Sequence, residues 1–123
     1  MQRQSSPSVR ISYPRFSREG LIRMLRERLP LLAERLPLVR VVLFGSWAAG
    51  RHTAASHIDH LVVYQGDTRE DAFGVVKTSL AIPGVEPHVY TQREVEMMRD
   101  RLARMTSGGV VLFPAEATAQ TPR

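Results

Sequence analysis

Hydrophobic positions along the chain follow two different spacings, and the spacing changes at turn-forming residues. After Ser17, a favourable N-cap, leucines recur every three or four positions, which predicts an amphipathic helix. These leucines are Leu21, Leu25, Leu29, Leu32 and Leu36. Pro30 lies within the stripe and is expected to kink or break the helix. Residues 38–44 are almost wholly apolar and rich in β-branched side chains, which predicts a buried strand that ends at Gly45-Ser46.

The middle of the chain predicts a turn, a strand and a second long helix. Residues 45–56 are mostly small and include two glycines, a composition typical of a turn, a short helix and a loop. Residues 58–64 form the next apolar run and are predicted to be a strand. Thr68 followed by Asp71 indicates the start of a helix that runs to about Leu80.

The last third of the chain predicts a strand, a helix and a short final strand. Pro87 lies within the strand predicted at 85–90 and, because proline cannot donate to a ladder, places that strand at a sheet edge or a bulge. Residues 91–94 are a capping box opening a third helix that ends at Gly108-Gly109, before a short strand at 110–113. The apolar stripe of this helix is Val95, Met98, Leu102 and Met105. The order of elements predicts an α/β (α+β) fold with a small mixed central sheet flanked by helices.

Composition restricts the class of protein. A chain of 123 residues suits one domain, and we expect that domain at 15–113, between a basic arm at 1–14 and a loose tail at 114–123. The absence of cysteine excludes disulfides and thiol chemistry, and the absence of a long apolar run predicts no membrane association and a soluble, cytoplasmic protein. Of the net charge of +5, residues 1–15 contribute +3 and residues 16–113 only +2. Nucleic-acid binding by the folded part is therefore disfavoured.

The end of the first predicted strand carries the strongest candidate chemistry. A Gly45-Ser46 pair where a strand turns into a helix brings free backbone N–H groups and a hydroxyl to one point, which favours phosphate. Asp59, early in the next strand, is an acid of the kind that holds the Mg²⁺ accompanying a nucleoside triphosphate. A Gly-Ser turn alone is common, so the residues by themselves go no further.

This arrangement resembles the minimal nucleotidyltransferase family of the polymerase-beta superfamily, whose signature is Gly-Ser, ten residues, then Asp-x-Asp. Gly45 and Ser46 match, ten residues follow at 47–56, and Asp59 occupies the second acidic position. His57 occupies the first and departs from the pattern. The resemblance implies a nucleotidyltransferase-type sandwich over residues 17–105.

The resemblance also implies an activity, which is transfer of a nucleoside monophosphate from a triphosphate, expected to be ATP, to an acceptor hydroxyl. Gly45 and Ser46 would bind the terminal phosphates and Asp59 would hold Mg²⁺. A third carboxylate on the next strand would complete the metal site and help deprotonate the acceptor; this position falls most naturally at Glu86, and His88, on the same strand face, is the competing assignment. Arg51 follows the turn and is a candidate phosphate ligand, although a solvated surface arginine explains it equally well.

His57 puts the metal site in doubt. An imidazole binds one metal through one nitrogen and suits transition metals better than Mg²⁺, so a two-magnesium site would be weakened. Two alternatives follow: a catalytically impaired protein that binds nucleotide or a partner, and a transition-metal site that includes His57. His60 should point to the opposite face of its strand as a partly buried or surface side chain, and Trp47 is expected to pack the short helix rather than stack on a base.

Partners also follow from the resemblance rather than from composition. Small members of the family are often encoded beside a helical HEPN-type toxin and act as its antitoxin, some by modifying it with a nucleotide. The resemblance therefore implies a protein partner of this type, and a homodimer is plausible.

Overall fold

The computed structural model describes residues 17–53 and 56–114, which form five helices and a four-stranded sheet. In chain order the elements are α1 (Arg18–Arg35), β1 (Leu38–Phe44), α2 (Ser46–Ala49), β2 (Ile58–Tyr64), α3 (Ala72–Leu80), β3 (Val85–Thr91), α4 (Gln92–Met97), α5 (Arg99–Met105) and β4 (Val110–Phe113). The predicted arm at 1–14 and the predicted tail beyond Pro114 lie outside the described residues, so the domain boundaries stay a prediction.

The sheet has the strand order β3-β2-β1-β4 and mixed pairing. β1 is antiparallel to both β2 and β4, whereas β2 and β3 run parallel. The predicted fold class, a small mixed sheet flanked by helices, is confirmed. β3 lies at an edge, which is the position that Pro87 requires.

The main core lies between one sheet face and the helices α1 and α3. Alternate residues of each strand face it, because successive strand side chains point to opposite sides. The buried members include the leucine stripe of α1, the inward residues of the sheet, and Trp47 of α2. A smaller cluster around Val42, Leu61, Val63 and Leu102 covers the other face beneath α4 and α5. Within the described residues, no helix is long and apolar enough to cross a membrane.

Helix α1 continues through Pro30, so of the expected kink or break the break is wrong, and the kink stays a prediction. Ser17 caps the helix as predicted and accepts a hydrogen bond from the Gly20 N–H at 2.9 Å. Pro30 lies on the exposed face, while Leu29 and Leu32 on either side of it are buried. Packing of this stripe stabilises the helix even though proline cannot donate the usual backbone hydrogen bond.

Two helix boundaries differ from the predicted ones. Helix α3 begins at Ala72 rather than near Thr68, with Asp71 at the N-cap position and its carboxylate paired with Arg69 at 3.0 Å. The predicted third helix is divided into α4 and α5 at Met98. Its capping box is present, with the Thr91 hydroxyl accepting from the Glu94 N–H at 3.1 Å.

Candidate active site

The candidate residues meet at one edge of the sheet. Because β1 is antiparallel to β2 and β2 is parallel to β3, the last residue of β1 lies beside the first residues of β2 and β3. In this register Phe44 pairs with Asp59, and Asp59 pairs with Glu86. The structure thus brings together the turn after β1 and the two acidic residues that the sequence pattern singled out.

Gly45 gives Asp59 its position. Its backbone has φ +81° and ψ −156°, a conformation that is essentially restricted to glycine. A Cβ atom at this position would lie 2.8 Å from Oδ2 of Asp59, so the carboxylate occupies the space that a side chain would fill. The strand-to-helix turn and the acidic residue of β2 are therefore one packed unit.

The turn from Gly45 to Arg51 is closed by backbone hydrogen bonds. Gly50 ends α2 in the left-handed conformation, and its N–H reaches the carbonyl groups of Ser46 and Trp47. The Arg51 N–H donates to the Ser46 carbonyl at 2.9 Å. These bonds hold Ser46 and Arg51 at the two ends of a compact turn, with Ser46 half-buried and Arg51 exposed.

Each carboxylate of the site lies beside an imidazole. Nε2 of His88 is 3.4 Å from Oδ1 of Asp59, and both side chains are about 30% exposed. Nδ1 of His57 is 3.8 Å from Oε1 of Glu86, and this pair is more open, with 69% and 52% of the side chains exposed. The ring of Phe44 packs against His88 with centroids 5.2 Å apart. Of the two candidates on β3 for the third site residue, it is His88 that contacts Asp59. Glu86 is in register with Asp59, but its carboxylate lies beside His57.

Comparison with known proteins identifies the family. The family model described as "Nucleotidyltransferase domain" matches residues 22–107, which is more than half of the chain. The chain belongs to the nucleotidyltransferase domain family. The matched segment contains every residue of the candidate site.

A solved structure shares the fold of this nucleotidyltransferase domain, and a second one matches it less closely. A crystal structure from Sulfolobus solfataricus, of a protein assigned as a nucleotidyltransferase, is 22% identical with a TM-score of 0.53, over 77% of this chain and 81% of that chain. A mutant of the toxin-antitoxin complex MntA-HpeT is 18% identical with a TM-score of 0.48, over 78% of this chain and 72% of that chain. No curated protein matches the sequence significantly.

The residues of the site do not fit the pair of magnesium ions that the family resemblance implies. Mg²⁺ prefers oxygen ligands, and a two-metal site needs carboxylates that reach both ions. Position 57 supplies an imidazole instead, and the site offers two carboxylates that already contact histidines. Across residues 17–53 and 56–114, no three His, Cys, Asp or Glu side chains are arranged to hold one ion. The expectation of a transition metal bound through His57 stays a prediction.

Two histidines are placed differently from what the sequence indicates. His60 points to the opposite face of β2 from Asp59, as predicted, but it is completely buried rather than partly buried or exposed. His52 was not predicted to have a role, and its ring lies flat on Trp47, with centroids 3.6 Å apart. No periodicity marks His52, because it lies in an irregular segment where residue spacing does not predict contacts. Trp47 packs the core, which confirms the expectation for that residue.

Proposed function

We propose that this nucleotidyltransferase domain binds a nucleoside triphosphate, ATP by preference, at the Gly45–Arg51 turn. We propose further that His57 leaves it with weak metal-dependent transfer of the nucleoside monophosphate. The observation that carries the proposal is the packing of the Asp59 carboxylate against the bare Cα of Gly45. This contact joins the proposed phosphate-binding turn to an acidic residue that faces it.

The chain's own groups support binding more strongly than transfer. Ser46 offers a hydroxyl at the start of the turn, and the exposed Arg51 offers a guanidinium at its end, which is suited to phosphate oxygens. Asp59 and Glu86 would repel a triphosphate unless cations balance them. The neighbouring His57 and His88 are the nearest groups able to carry positive charge. Asp59 is the residue that would hold a divalent ion, and such an ion would neutralise part of the phosphate charge.

Replacing His57 with aspartate should make ATP binding dependent on Mg²⁺. Restoring a carboxylate next to Asp59 creates the oxygen-rich donor set that Mg²⁺ prefers, so we expect Mg²⁺ to tighten ATP binding by His57→Asp about tenfold, or about 1.4 kcal/mol. In the unmodified chain the same addition should change the dissociation constant by less than about threefold. Equilibrium dialysis with and without Mg²⁺ measures the ATP dissociation constants of the His57→Asp variant and of the unmodified chain.

A control and a transfer assay complete this test. Gln65→Asp adds the same charge in an exposed position at the opposite end of β2 and should gain no Mg²⁺ dependence. Release of pyrophosphate from ATP should rise in His57→Asp and disappear when Asp59→Ala is added. If the unmodified chain already shows full Mg²⁺-dependent binding and pyrophosphate release that require Asp59, the impairment is refuted. If it binds no ATP, the binding proposal is refuted.

The acceptor and the partner remain proposals that rest on the resemblance. We propose a hydroxyl of a partner protein of the HEPN-toxin type as acceptor. Co-expression of the two proteins, followed by intact-mass measurement of the partner, tests this directly. A mass increase of one nucleoside monophosphate supports the proposal. If a stably bound partner keeps its mass, transfer to the partner is refuted and only binding remains. The cytoplasmic location and the homodimer likewise stay predictions.

A further inference from the structure

The His52 ring is stacked face to face on Trp47. The ring centroids are 3.6 Å apart and the planes differ by 4°, so one face of the imidazole lies against the indole. Trp47 has no exposed surface and belongs to the main core. The stack therefore attaches an irregular segment to a rigid part of the molecule.

The two rings lie at the two ends of the proposed phosphate-binding turn. Trp47 directly follows Ser46, and His52 directly follows Arg51. Across the turn, the backbone supplies a hydrogen bond from the Arg51 N–H to the Ser46 carbonyl at 2.9 Å. The Trp47–His52 stack links the same two ends of the turn through side chains, because Trp47 is bonded to Ser46 and His52 to Arg51 in the chain.

Hydrogen bonding does not explain the position of His52. Within residues 17–53 and 56–114, neither the buried Nδ1 of His52 nor the buried Nε1 of Trp47 has a hydrogen-bond partner. Burying an unpartnered polar nitrogen is unfavourable, so the contact between the ring faces must stabilise the arrangement. A planar ring, rather than a hydrogen-bonding group, is what this position requires.

We propose that His52 is a positioning residue whose stack on Trp47 holds Ser46 and Arg51 in the geometry that binds triphosphate. The part of this inference that concerns triphosphate rests on the proposed function, whereas the part that concerns the turn does not. A planar ring at position 52 should preserve both the geometry of the turn and the binding of triphosphate. Loss of the ring should disturb the turn more than it disturbs the sheet.

Two substitutions at position 52 separate the ring from its nitrogens. His52→Ala removes the stack, whereas His52→Phe keeps a flat ring and removes the buried unpartnered nitrogen. We expect the Arg51 amide to exchange its hydrogen about tenfold faster in His52→Ala and at the original rate in His52→Phe. The amide of Val62, in the central strand β2, is the internal reference and should keep its rate in both variants.

Nucleotide affinity gives the second readout. Trp47 is the single tryptophan of the chain, so its fluorescence reports on the stack and on ATP titration together. We expect ATP to bind His52→Ala about fivefold to tenfold more weakly, and His52→Phe within about twofold of the unmodified chain.

The outcomes distinguish this inference from the proposed function. Equal Arg51 exchange in His52→Ala and the unmodified chain overturns the inference even if ATP binds. Equal acceleration at Arg51 and Val62 also overturns it, because the effect would then be general destabilisation. Faster exchange at Arg51 alone, in a chain that binds no ATP, supports the positioning of the turn and refutes the nucleotide proposal.

Discussion

Gly45→Ala should destabilise the protein by about 3 kcal/mol, because alanine at this position is strained and also collides with Asp59. The backbone at Gly45 has φ +81° and ψ −156°, and the new Cβ would lie 2.8 Å from Oδ2 of Asp59. Asp59 would have to move away, which would break its contact with His88. Urea unfolding measures the loss of stability, and the His88 ring signals in NMR report the displaced carboxylate.

Gly50→Ala is the matched control for this prediction. Gly50 also has a positive φ, +77°, but a Cβ there would meet no atom of the described residues within 4 Å. Its replacement should cost only the strain of a left-handed alanine, about 1 kcal/mol, and should leave the His88 signals unchanged. Equal destabilisation by the two substitutions would contradict the steric role of Asp59.

His60 should make the protein less stable in acid. Burial lowers the pKa of His60 from 6.5 to about 4, with the Ile58 carbonyl opposing the shift and the charge of His88 adding to it. Between pH 6.5 and 4 the unfolded chain binds a proton that the folded chain does not, so the free energy of unfolding falls as pH falls through this range. The expected loss is about 3 kcal/mol from pH 7 to pH 4. Urea unfolding at a series of pH values measures it.

Two substitutions separate titration of His60 from its polarity. Nδ1 of His60 lies 3.3 Å from the Ile58 carbonyl, and the buried Nε2 has no partner in the part of the chain that the structure describes. His60→Leu removes both the titration and the unpartnered nitrogen, so it should flatten the pH dependence and stabilise the fold at pH 7 by about 1 kcal/mol. His60→Asn should flatten the pH dependence without that gain. An unchanged pH dependence in both variants would show that other groups cause the loss in acid.

Local sequence pattern predicted the order of the strands and most of the helices. The apolar runs at 38–44 and 58–64 and the capping box at Thr91 each predict an element by themselves, and all three are present. The family resemblance, through the spacing from Gly45-Ser46 to Asp59, implied that the turn and the acid belong together, and they are in contact. These features depend on residues close in sequence or on one strand pairing.

The other features of the fold and the site depend on packing between elements that are distant in the sequence. Glu86 and His88 share a strand face, so only the register of β2 and β3 and the directions of the side chains decide that His88 contacts Asp59. Alternation placed His60 opposite Asp59, but its complete burial depends on how the helices cover that face. At Pro30, tertiary packing overrides the strong local preference of proline to break a helix.

Thr91 belongs to two elements at once, as the last residue of β3 and the N-cap of α4. The segment that carries Glu86 and His88 therefore continues into the helices over the second sheet face without an intervening loop. One inserted residue here would rotate α4 by about 100° relative to β3 and turn its apolar side away from the sheet. Insertions and deletions among homologues should accordingly be excluded from the junction at Thr91.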